Sequence, residues 1–144
     1  MLALFLVGRD LENLLGKARF LALYFLAGFG GSVAVLLLSP LGGVLGASGS
    51  VFGLFAAYIV IVRRLGGNAT AMLVLLGINF VLAFLPGNRI SWQGHLGGLV
   101  VGAFVGLIYA STRQRPQRGL QIGLLIATGA ALILLTVLGL AVYF

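Results

Sequence analysis

Cysteine is absent from this 144-residue sequence, and it holds only two acidic residues, Asp10 and Glu12, and a single histidine, His95. The first absence excludes disulfides and thiol catalysis. Charged residues make up 8% of the chain, against about 25% in soluble domains, so it cannot cover itself with a water-compatible surface. Proline is scarce too, and all three residues of it, Pro40, Pro86 and Pro116, fall between apolar runs, as befits a helix breaker. A basic region before the first apolar stretch is also missing. Arg9 follows Met1–Val7 rather than preceding it, which argues against a cleavable signal peptide.

Apolar residues make up 61% of the sequence. A hydrocarbon core of about 30 Å calls for roughly 20 apolar residues per helix. Five segments approach that length, at 20–38, 47–62, 69–86, 94–111 and 119–143. The expected fold is therefore an all-α polytopic transmembrane bundle in one domain, 1–144, with five full spans and a partial helix ahead of them. Met1–Val7 would extend only about 10 Å as a helix, too short to cross, and reads as the tail of a longer helix. Asp10 and Glu12, with Arg9, Lys17 and Arg19, read as a solvated interfacial turn.

The formal charge of +7 would suggest nucleic acid in a soluble protein. Here the basic residues lie between apolar runs, and they read as topology signals. Arg9, Lys17, Arg19, Arg63, Arg64, Arg113, Arg115 and Arg118 collect on one side of the alternating loops, and Arg89 alone on the other. Positive charge marks the cytoplasmic side, so loops 39–46 and 87–93 and the C-terminus are expected to face outward.

Ser48 and His95 then start the second and fourth spans from that outer side, at similar shallow depth. An ionisable residue inside a membrane is costly and usually functional, and serine is a nucleophile once a base takes its proton. Read blandly, Ser48 is a helix N-cap and His95 an interhelical hydrogen bond. Ser50 is the rival for either serine role. Asp10 and Glu12 lie close to a membrane thickness away, so no carboxylate can complete a triad, and any such chemistry is a Ser–His dyad. Free backbone amides where Ser48 opens its helix would supply oxyanion donors. Phe52, one turn on, either packs on the imidazole or fills ordinary space. Asn79, mid-span, is expected to make an interhelical hydrogen bond.

Membrane helices associate through small residues that let backbones approach. Gly94, Gly98, Gly102 and Gly106 recur at a spacing of four, as do Gly49, Gly53 and Ala57. Each strip can receive the other, which would bring the serine and the histidine together; generic helix packing is the plainer reading of either strip alone.

Gly46-Ala47-Ser48-Gly49 with Gly53, and Gly94-His95-Leu96-Gly97-Gly98 with Gly102 and Gly106, resemble the motifs of the rhomboid intramembrane serine proteases. Gly8-Arg9-Asp10-Leu11-Glu12 with Gly16 is similar to the cytoplasmic end of that family's second helix. The resemblance runs from Met1 to about Ala110, and the segment 119–143 resembles the extra C-terminal helix of seven-helix members. It implies Ser48 as nucleophile, His95 as general base, and the Ala47 and Ser48 amides, flanked by Gly46 and Gly49, as oxyanion donors. It also implies that the third span and loop 87–93 gate lateral access for a substrate helix. The family carries a His and an Asn near the outer end of its second helix, and a first helix before that, so the chain is expected to be N-terminally truncated. The partners implied are membrane-anchored protein substrates in a lipid bilayer, in a bacterial plasma membrane, with no cofactor, metal or nucleic acid. Two other readings are a catalytically inactive rhomboid-like protein that binds membrane helices, and a small transporter using His95.

Overall fold

The computed structural model describes residues 2–41, 48–87 and 92–144, with side chains described from Phe5 and, in the second of these stretches, from Gly49. Among the described residues six α-helices follow in order: α1 (Leu2–Leu15), α2 (Lys17–Leu38), α3 (Ser48–Arg64), α4 (Thr70–Leu82), α5 (Trp92–Ser111) and α6 (Arg118–Tyr143). A single 3-10 turn, Arg115–Gln117, leads into α6. No strand occurs among the described residues. The chain is an all-α helical bundle and a membrane protein.

The stretch around Asp10 and Glu12, expected to be a turn, is helical. Val7 and Leu11 lie four residues apart on α1 and are both buried, while Arg9 and Asp10 fall on the exposed side. One apolar stripe is enough to keep such a segment helical against the bundle. The break between α1 and α2 is confined to Gly16, whose φ of 85° suits a residue without Cβ.

α2, α5 and the segment Arg115–Tyr143 are each long and apolar enough to cross a membrane. The remaining two expected spans are shorter helices. α3 has 17 residues, about 25 Å at 1.5 Å per residue. It can be short because protein encloses it. Ser50, Phe52, Leu54, Phe55, Ala56, Ala57, Ile59 and Ile61 are all buried, with α2 and α5 as its principal neighbours. Backbone irregularity at membrane depth is tolerated where protein rather than lipid surrounds it. α4 has 13 residues and buries none of them. It presents Leu73, Val74, Ile78 and Val81 outward, as a lipid-facing helix should.

The core lies where α1, α2, α3 and α5 meet: Val7 and Leu11, Leu23, Leu54, Phe55, Ala57 and Ile61, and Val105 and Tyr109. α6 leans mainly on α2, with the Tyr143 hydroxyl donating to the Leu37 carbonyl at 3.0 Å. The rest of its length is largely exposed and apolar.

Candidate active site

Glycine determines how closely α3 and α5 approach. A Cβ at Gly98 would stand 2.9 Å from the Gly49 Cα and closer still to its carbonyl oxygen. One turn further on, Gly102 would meet the Gly53 backbone, and Gly106 would come within 2.9 Å of the Ala57 Cα. α2 joins the same contact, since a Cβ on Gly31 would lie 2.7 Å from the Gly94 carbonyl oxygen, and Gly30 packs on Gly97 and Val101. Three backbones thus converge on Gly31, Gly49 and Gly94. The α2 glycines were not singled out by sequence reasoning, although Ala27 and Gly31 share the spacing of four that marks the other two strips.

This convergence positions His95. It lies in the first turn of α5, directly after Gly94, and is only 3% exposed. Neither ring nitrogen has a hydrogen-bond partner among the described residues. Buried polar groups are nearly always paired, and an exception calls for an explanation such as a catalytic role. The ring itself is held firmly. Phe52 of α3 stacks on the imidazole with centroids 3.9 Å apart and planes 16° from parallel.

Behind Phe52 an aromatic series continues outward. Phe80 of α4 meets Phe52 edge-on at 6.2 Å, Phe84 meets Phe80 at 5.5 Å, and Trp92 stacks on Phe84 at 6.1 Å. The series runs from the imidazole to where the end of α4 faces the start of α5. Its one trace in the sequence is the Phe80–Phe84 spacing. An apolar groove of about 300 Å³ lies alongside, lined by Leu73, Leu76, Gly77, Phe80 and Val81 of α4 and by Leu99 of α5.

Ser48 is the first residue of α3. Its side chain, with Gly46 and Ala47, lies outside the described residues, as does Arg89. Its bonded neighbour Gly49 is fixed, with a Cβ there reaching to 3.1 Å from the Gly94 carbonyl oxygen. The first turn of α3 therefore abuts the residue that precedes His95. Ser50 faces elsewhere. Its buried hydroxyl donates to the Tyr24 carbonyl of α2 at 2.9 Å, in a space that Gly28 leaves open. Asn79, expected to bond between helices, instead donates to the Leu75 carbonyl of its own helix at 2.8 Å. A residue on a helix with no buried face has its own backbone as the nearest acceptor.

The fold and this site define a helical membrane protein that holds a buried imidazole, free of described partners, against a glycine-built helix junction. The family model of the Rhomboid domain matches residues 1–112. Rhomboid protease GluP of Bacillus subtilis is 39% identical over 108 residues, covering 72% of this chain and 21% of the relative. The protein YdcA of the same strain is 33% identical over 120 residues, covering 79% of this chain and 60% of the relative. RHOMBOID-like protein 1 of Arabidopsis thaliana is 32% identical over 126 residues, covering 83% of this chain and 31% of the relative. No solved structure matches. The chain belongs to the rhomboid family, and it spans between about a fifth and three fifths of the length of these curated relatives.

Proposed function

We propose that this chain is an intramembrane serine endopeptidase working through a Ser48–His95 dyad. The observation that carries the reading is the buried His95 imidazole, stacked on Phe52 and without a described partner for either nitrogen, beside the first turn of α3. In this scheme one ring nitrogen takes the Ser48 proton as the hydroxyl oxygen attacks the substrate carbonyl. The same proton passes to the departing amine, and water then releases the acyl-enzyme. Chain termini aside, the only acids are Asp10 and Glu12 on α1, so no carboxylate assists the imidazole. Amides of Ala47 and Ser48, flanked in the sequence by Gly46 and Gly49, serve as the oxyanion donors in this scheme.

The substrate is a membrane-anchored protein whose helix reaches the site between α4 and α5. α4 supports this role by burying no residue and by leaving an apolar groove toward Leu99. With the basic helix ends in the cytoplasm of a bacterial plasma membrane, the site lies near the outer face.

The test is cleavage of a single-span substrate by the protein reconstituted in liposomes. A product that disappears in both Ser48→Ala and His95→Ala is the expected result. Stable association with the substrate and no product from the unaltered chain would overturn the assignment in favour of a helix-binding role.

A further inference from the structure

Three helices of membrane length have an end at the same place: α2 starts at Lys17, α5 ends at Ser111 and α6 starts at Arg118. Between these ends, at the level where a bilayer's headgroups would lie, is a cavity of about 350 Å³. Its polar wall is Arg19, Arg113, Tyr109 and Gln121, and its apolar wall includes Leu14, Ile61 and Leu65.

Arg19 is fixed at both ends. The Tyr109 hydroxyl donates to its backbone carbonyl at 2.8 Å, and its own Nε donates to the Gln121 Oε1 at 2.9 Å. Gln121 is only 4% exposed and is itself locked, donating to the Thr112 hydroxyl at 2.9 Å. This leaves the two terminal guanidinium nitrogens of Arg19 for another acceptor. Arg113 makes no hydrogen bond among the described residues and stands on the same cavity. No carboxylate lines it; Glu12 lines a different groove, with Arg9. Two guanidinium groups, one of them rigidly preset, thus face a common space without a countercharge.

We propose that this cavity binds a phosphate group carried by an anionic phospholipid, with Arg19 and Arg113 on the phosphate and the Leu14 and Leu65 side taking the start of an acyl chain. Guanidinium groups match phosphate oxygens in a planar, paired geometry, and basic pockets between membrane helices are where anionic headgroups are held. The apolar wall and the level of the helix ends favour a lipid over a soluble phosphate. The proposal is independent of the dyad, because the cavity shares no residue with it.

Retention of phosphatidylglycerol against phosphatidylcholine, read by native mass spectrometry from mixed micelles, tests it. The intact chain is expected to retain phosphatidylglycerol preferentially, and Arg113→Gln to cut that preference by about fivefold. Arg19→Gln should do the same, although it also breaks the bond to Gln121, which is why Arg113 is the cleaner probe. Arg63→Gln, at the end of α3 and off the cavity, serves as the control and should leave the preference intact. Equal retention of the two lipids, or an equal loss in Arg63→Gln, would overturn the proposal by showing no site or only diffuse surface charge. Displacement of phosphatidylglycerol by millimolar inorganic phosphate would overturn the lipid assignment in favour of a soluble anion.

Discussion

Replacing Gly98 by alanine should force α3 and α5 apart at the point where the site is built. The new Cβ would stand 2.9 Å from the Gly49 Cα, where ordinary contact begins at 3.4 Å. The shortfall is 0.5 Å at that atom and larger at the Gly49 carbonyl oxygen. Both obstacles are backbone, so no side chain can turn aside, and the helix pair has to separate. Overpacking of this kind costs about 1–3 kcal/mol, and the backbone contact argues for the upper half of that range. Function should suffer more than stability, since a displacement of about 1 Å at reacting groups can cost around 100-fold in rate. Thermal unfolding in detergent and the rate of fluorophosphonate labelling would measure the two effects. Gly123→Ala is the matched control, because nothing lies within 4 Å of a Cβ there. If Gly98→Ala unfolds and labels like Gly123→Ala, the close backbone junction is wrong.

Ser50→Ala removes one hydroxyl bond to the Tyr24 carbonyl and should cost about 0.5–1.5 kcal/mol in thermal unfolding while leaving fluorophosphonate labelling in place. Phe52→Ala removes the ring stacked on His95; labelling should slow by about tenfold or more as the imidazole loses its fixed orientation, and an unchanged rate would deny Phe52 a positioning role. Asn79→Leu should change stability by less than about 0.5 kcal/mol, because among the described residues the amide bonds only within its own helix; a loss above 2 kcal/mol would reveal an interhelical bond. Gln121→Leu should destabilise by about 0.5–1.5 kcal/mol, since it removes the acceptor of the Arg19 Nε and the amide donor to the buried Thr112 hydroxyl, which keeps its own bond to the Ile108 carbonyl.

Much of the bundle can be read from the sequence, and the reasons are particular to certain residues. The spacing of four in Gly49–Gly53–Ala57 and in Gly94–Gly98–Gly102–Gly106 is the trace left by backbone contact, because only small residues permit it. The three long apolar helices are legible because lipid demands unbroken hydrophobic length. What was not legible depends on the partner rather than on the segment. α1 runs helically through Arg9, Asp10 and Glu12 because Val7 and Leu11 find a core; the local charge pattern reads as a turn, and it is the resemblance to the family's second helix that points to a helix there. α3 can be short because other helices sheath it. Gly30 and Gly31 sit in a run of α2 where glycine could have meant mere flexibility, and only their contacts with Gly97 and Gly94 show the third backbone at the junction. Asn79 has the same composition signal whether it bonds outward or along its own helix.

The central claim is that His95 activates Ser48, and identification of the residue modified by a fluorophosphonate probe tests it most directly. Peptide mapping of the labelled protein should place the adduct on Ser48 rather than Ser50, and His95→Ala should lower its formation by several orders of magnitude while Ser50→Ala leaves it in place. An adduct on Ser50, or one on Ser48 that forms at the same rate without His95, would contradict the account.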